Sequence, residues 1–423
     1  APAKGAAERE AKAEGAMAPS AAAATSIGAL GGRGAATVEM RRAGGEPLAL
    51  GAPSSVKAGE WDDNANYLEF QRWLQTESGV SFHGLDLRDR RFLVVRDDHG
   101  RAVPACPIVV TDQASHIVRL TTTSSGRAIL FPHAAGLVGG DLSAVANCGS
   151  GSASARFPLA QDDGVVDLDL ATSRTLPAAT TVDLAFILDT TGSMSEEIAA
   201  VKGTIQKVAI GLAGQNAKIR VGMIEYRDRG DDFVTRAHPM TTDIGHFAEE
   251  VAHVAASGGG DMPESVNAGL HAAMTDLAWQ NDSMVKLAFL IGDAPPHLDY
   301  AQDFDYAVEM RRAAERGIQV YTIAASGMDD LGQVVFRQIA QYTGATNMFV
   351  LRGGAGPQST GAGDPKSSCG GTQTRYASGN LDALILSKVN GALDAINGDP
   401  LKIAGLRGDE NAKPCSERVL IAR

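Results

Sequence analysis

Between residues 181 and 351 the chain alternates short unbroken apolar runs with longer stretches in which apolar residues recur every third or fourth position. The runs at 184–188, 219–226, 285–291, 319–324 and 348–351 are too short for helices and lack regular polar alternation, which is the signature of strands buried on both faces of a parallel sheet. A less apolar run at 233–239 adds a further strand. The stretches at 196–212, 244–256, 263–279, 306–316 and 331–342 carry the 3.6-residue period of amphipathic helices. The alternation predicts an α/β domain over 179–352, with a mostly parallel central sheet flanked by helices.

Ahead of that domain the pattern changes. Short runs at 92–95, 108–111, 117–122 and 128–131 are separated by the turns D-D-H-G at 97–100 and S-S-G at 124–126, which predicts a small N-terminal all-β sandwich. Tyr67, Phe70, Trp73 and Leu74 share helical spacing, so a short helix leads into the sandwich, with Asp62, Asp63 and Asn64 supplying its cap chemistry. Helix and sandwich together are assigned to 59–178. Residues 1–58 are Ala, Gly and Ser with scattered charges, too poor in large apolar groups to offset chain entropy, and are expected to form a disordered tether. Residues 353–379, rich in Gly, Ser, Thr and Pro, read as a surface loop or linker. An apolar-periodic helix at 381–396 begins the last segment, 380–423, which is expected to pack with its tail on the α/β domain.

Composition narrows the function. A net charge of -12 over 423 residues argues against nucleic acid and anionic membrane surfaces, and suits the gathering of divalent cations. No stretch reaches the length of a transmembrane segment. The chain begins at Ala1, which leaves room for a leader or lipid anchor removed upstream. Its four cysteines fall into an early pair, Cys106 and Cys148, and a late pair, Cys369 and Cys415. Two disulfides in an exported protein is the first reading, and four buried thiols is the alternative.

The chemistry concentrates in three loops. D-T-T-G-S-M at 189–194 puts Asp189, Thr191 and Ser193 at the carboxyl end of a buried strand, where open α/β sheets place ligands. One carboxylate and two hydroxyls form a hard-oxygen set suited to Mg2+, although the same loop also reads as a turn in which Ser193 or Ser195 caps a helix. G-G-G-D-M-P-E at 258–264 and I-G-D-A-P-P-H at 291–297 can reach the same edge.

Together these loops resemble the von Willebrand factor type A, or integrin I, domain with its metal-ion-dependent adhesion site. The first loop matches the family pattern D-x-S/T-G-S, and Asp293 matches the acid that ends the family's fourth strand. The resemblance implies a Rossmann-like fold and one Mg2+, or Mn2+ or Ca2+, held by Asp189, Thr191, Ser193, Asp261 and Asp293. A coordination position then stays open for an Asp or Glu of a protein partner, so the activity implied is binding and not catalysis. One departure stands out: Asp261 occupies the place of the family's threonine. It is expected to ligate directly or through water, and capping a helix that begins at Pro263 is the alternative. I-E-Y-R-D at 224–228 resembles a branch of the family seen in exported bacterial proteins and beside some atypical kinases, which implies a periplasmic, cell-surface or extracellular location. Residues 85–170 resemble transthyretin-like or carboxypeptidase-regulatory sandwiches, which act as spacers. Two rivals remain. One is a haloacid-dehalogenase-type phosphotransferase with Asp189 as nucleophile, which lacks a second acid after Gly292-Asp293; the other is a structural domain with a vacant metal site. His297 reads as a loop residue, Arg227, Asp228 and Arg229 as a salt-bridged loop, and R-G-D at 229–231 is too short to use.

Overall fold

The computed structural model describes residues 57–76, 85–161, 163–195, 197–212, 217–325, 327–351 and 379–403. Nearly all of the expected tether and linker, and the Cys369–Cys415 pairing, lie outside the described residues.

The chain enters through strand β1 (Lys57–Trp61) and helix α1 (Tyr67–Thr76). Seven strands follow: β2 (Arg91–Arg96), β3 (Pro107–Thr111), β4 (Ile117–Thr121), β5 (Arg127–Leu130), β6 (Asp141–Cys148), β7 (Gly151–Pro158) and β8 (Gly164–Asp169). They form two sheets, β5-β2-β8 and β4-β3-β6-β7. Leu93 and Val95 of β2 meet Ile108, Val110, Leu142 and Ala144 of the other sheet in one buried cluster. Cys106 and Cys148 are joined by a disulfide. Strands β6 to β8 escaped the hydrophobic pattern because β6 and β7 alternate alanine with serine and other polar residues, a contrast too weak to read.

The second unit alternates strands and helices: β9 (Thr181–Asp189), α2 (Ile198–Leu212), β10 (Lys218–Tyr226), β11 (Thr235–Thr241), α3 (Ile244–His253), α4 (Val266–Thr275), β12 (Val285–Gly292), α5 (Tyr306–Glu315), β13 (Gln319–Ala324), α6 (Asp330–Tyr342), β14 (Asn347–Leu351), β15 (Gly379–Asn380) and α7 (Leu381–Ala395). The sheet order is β11-β10-β9-β12-β13-β14-β1-β15. β10, β9, β12, β13 and β14 run parallel, while β11 on one side and β1 on the other are antiparallel. β9 sits in the middle with Val182 to Asp189 buried. Its period of two sends Leu184, Phe186 and Leu188 to the face covered by α2, α3 and α7, and Ala185 and Ile187 to the face covered by α4, α5 and α6.

Two elements differ from the sequence expectation. β1 crosses the boundary drawn at 58/59 and completes the α/β sheet against β14, not the sandwich. Its sequence, KAGEW, has too few apolar residues to announce a strand, and pairing with an existing sheet edge supplies what the pattern lacks. Helix α4 starts at Val266 with Ser265 at its N-cap, later than the Pro263 start expected, so Asp261 does not cap it.

Candidate metal centre

β9 and β12 lie side by side and end level, so the loops that follow them open at one edge. The first loop is stitched in place by its backbone: Thr190 donates to Tyr226 O at 3.0 Å, Gly192 to Gly258 O at 2.9 Å, and Ser257 to Thr190 O at 3.0 Å. Position 192 must be glycine for this approach, because a Cβ there would stand 2.8 Å from Gly258 O.

Four of the five expected ligands come together. Asp189 is fully buried, and its Oδ1 accepts from the Thr191 amide at 2.9 Å and the Thr191 hydroxyl at 2.7 Å. The Thr191 and Ser193 hydroxyls are 3.1 Å apart, and Ser193 donates to Asp293 Oδ1 at 3.0 Å. Ser193 is exposed while the other three are buried, so this chain of oxygens opens to the surface at Ser193. Asp189, Thr191, Ser193 and Asp293 thus form one linked set.

The fifth, Asp261, lies elsewhere. It is exposed and groups with Asp228 and His297, their ligand atoms within 4.8 Å of one another; among the described residues no such group unites it with Asp189 and Asp293. Glu264 is the acid of the second loop that turns inward. Its backbone is pinned by Glu264 N to Pro295 O at 2.9 Å and His297 N to Glu264 O at 3.2 Å. The Glu264 side chain is 2% exposed, with the Thr191 hydroxyl beside it and no hydrogen-bond partner for Oε2 among the described residues. The motif G-G-G-D-M-P-E contains both acids, so the sequence signal for Glu264 was present and the choice between the two was not legible.

The electrostatics suit a cation. Burial, and after it the charge of Asp293, pushes Asp189 up to about 7, against the hydrogen bonds from Thr191 and Tyr226. Burial followed by Asp189, Asp228 and Asp293 pushes Glu264 up to about 8. Asp293 is raised by burial, partly offset by Ser193. The charged groups acting on Asp189 and Glu264 are other carboxylates, so full ionisation of this set calls for a positive charge between them. The donor chemistry, carboxylates plus hydroxyls, fits Mg2+ or Mn2+.

The family model of the von Willebrand factor A domain matches residues 183–350. This segment is a von Willebrand factor A domain. Two relatives are similar to part of the chain at 32% identity. One is an ariadne-like RING finger protein of Acanthamoeba polyphaga mimivirus, over 27% of this chain and 11% of that protein; the other is the alpha-protein kinase vwkA of Dictyostelium discoideum, over 30% and 20%. The chain therefore spans only a small part of these relatives. Solved structures similar to it include proximal thread matrix protein 1 of the mussel byssus (14% identity, 40% of this chain and 41% of that one, TM-score 0.31). Others are the pilus adhesin SpaC of Lactobacillus rhamnosus GG (10%, 48% and 30%, 0.31) and BatB of Bacteroides thetaiotaomicron (17%, 40% and 88%, 0.31).

Proposed function

We propose that this von Willebrand factor A domain is a divalent-cation-dependent protein-interaction module. Asp189, Thr191, Ser193 and Asp293 hold Mg2+ or Mn2+, directly or through water, and Glu264 adds a carboxylate from the second loop. The observation that carries this reading is the buried, hydrogen-bonded run of oxygens from Asp189 to Asp293, which reaches the surface at Ser193. Mg2+ prefers six oxygens and keeps waters readily, so the exposed side of the set is where an Asp or Glu of a partner protein displaces water. The bound cation supplies a positive charge shared between the two proteins.

Binding is favoured over phosphoryl transfer because Asp189 is fully buried and one of its oxygens is already engaged twice by Thr191. The disulfide in the sandwich supports an exported protein, since such bonds persist in oxidising compartments. The sandwich then acts as a spacer, as its transthyretin-like resemblance implies. No helix among the described residues is long and apolar enough to cross a membrane.

Calorimetric titration of EDTA-treated protein with Mg2+ and Mn2+ tests the site. Binding of one equivalent is expected in the wild type, with Asp189→Ala still folded but weakened by about tenfold or more, since it loses a ligand at the strand end. Undiminished cation binding in that variant would remove the site and the adhesion mechanism with it.

A further inference from the structure

The acid that left the first set stands in a second constellation. Asp228 follows β10, Asp261 lies on the glycine-rich loop before α4, and His297 follows β12. Their ligand atoms lie within 4.8 Å of one another. His297 is 3% exposed, and its Nε2 has no hydrogen-bond partner among the described residues.

The ring is held so that this nitrogen faces the two acids. Nδ1 lies 2.8 Å from Asp299 Oδ1, and the imidazole stacks on Tyr300 with centroids 3.9 Å apart. The backbone of His297 is tied twice, by its own amide to Glu264 O at 3.2 Å and by Asn267 Nδ2 to its carbonyl at 2.8 Å. A ring that gives Nδ1–H to this carboxylate turns Nε2 toward the two acids as the atom that would meet a metal, the arrangement that orients histidine as a ligand. Nε2 is 3.5 Å from Asp228 Oδ1. Two ligands each about 2.1 Å from a tetrahedral ion stand about 3.4 Å apart, so this separation is that of two donors sharing one cation. Ser265 Oγ donates to the same Asp228 oxygen at 3.0 Å and fixes it. Asp261, on an exposed side chain, is free to close on the pair.

The geometry points to a second metal site, distinct from the Asp189 set, in which Asp228, Asp261 and His297 bind Zn2+. One imidazole nitrogen with two carboxylates suits a borderline first-row cation, whereas Mg2+ favours an all-oxygen shell. Three protein ligands leave the fourth position to water. The site joins the loops after β10 and β12 to the loop that delivers Glu264, so it fastens the second loop beside the first site. It does not depend on the magnesium reading.

The test is a zinc titration of the EDTA-stripped full chain, in competition with a chromogenic chelator and in excess Mg2+ so that the first site is not available to zinc. One equivalent of Zn2+ is expected in the wild type and equally in Asp189→Ala, which separates this site from the first. His297→Gln and Asp261→Asn should each weaken it by about tenfold or more, the latter at an exposed residue whose change leaves folding intact. X-ray absorption of the zinc form should report one imidazole nitrogen among oxygen ligands. Absence of a stoichiometric zinc in the wild type, or undiminished affinity in either variant, overturns the proposal.

Discussion

At the scale of single residues, the two acids of G-G-G-D-M-P-E occupy different environments, although the sequence singled out Asp261 alone as a ligand. Asp261 is exposed, while Glu264 is buried with its charge coupled to Asp189 and Asp293. Losing a carboxylate from the vicinity of a bound cation lowers its affinity, and the loss matters more in a buried site, where screening is weak. Glu264→Gln, which keeps the shape and removes the charge, is therefore expected to reduce Mg2+ affinity by about tenfold or more, on the scale of other ligand-sphere losses. Asp261→Thr should leave Mg2+ affinity within about twofold, because no described contact joins it to the Asp189 set. Titration of both variants under one buffer decides the matter; the reverse ranking would restore Asp261 as the magnesium ligand and dismiss Glu264.

At the scale of elements, legibility followed hydrophobic contrast. β9 and β12 could be read directly because L-A-F-I-L and V-K-L-A-F-L-I have no competing account, and both lead to an acid, Asp189 and Asp293, that the structure brings to one sheet edge. Which acid of the second loop turns inward depends on where α4 begins and how Glu264 pairs with Pro296, and neither is encoded in residue type alone. The lead-in to α1 shows the same limit. Asp62 closes the turn ahead of α1 and does not cap the helix itself: its Oδ1 accepts from the amides of Asn64 and Ala65 at 2.9 and 2.8 Å, both before the helix start at Tyr67. Asp63 instead makes a two-pronged pair with Arg337 of α6 at 2.8 and 2.6 Å. Arg337 is fully buried, with its guanidinium 4.0 Å from the Trp73 ring and 5.1 Å from the Phe70 and Trp61 rings. Only the fold brings these partners together across the sequence. Removing one member of a buried pair strands the other charge, so Asp63→Ala is expected to cost about 3–5 kcal/mol in denaturant unfolding. The double change Asp63→Ala with Arg337→Met should recover much of that loss, since an apolar side chain of similar length suits the aromatic box. A single variant as stable as the wild type would show that the pair does not anchor α1.

At the scale of the whole molecule, the two sheets of β2 to β8 and the von Willebrand factor A domain are joined by a shared core and by polar ties. Tyr67, Phe70 and Trp73 of α1 pack with Phe131, which follows β5, and with Met310, Val334 and Tyr342 from α5 and α6. Arg127 of β5 donates to Pro400 O and Lys402 O at 3.2 and 2.9 Å, and Arg174, in the connection from β8 to β9, to Ile396 O at 2.6 Å, so the segment after α7 is tied to the N-terminal half of the chain. Thr121 reaches Glu315 O at 2.7 Å. The disulfide lies in the unit of strands β2 to β8, not in the loops of the candidate metal centre, and joins cysteines 42 positions apart. Closing a loop of that length removes unfolded-state entropy worth about 4 kcal/mol in the chain-entropy account. The double variant Cys106→Ser with Cys148→Ser should therefore melt at a lower temperature, while its Mg2+ titration stays that of the wild type because no ligand loop rests on the bond. Scanning calorimetry and titration on the same sample give both readings. An unchanged melting temperature would mean that the disulfide contributes nothing to the stability of the β2 to β8 unit. Free thiols at both positions in protein taken from its native compartment would remove the support the bond gives to an exported location.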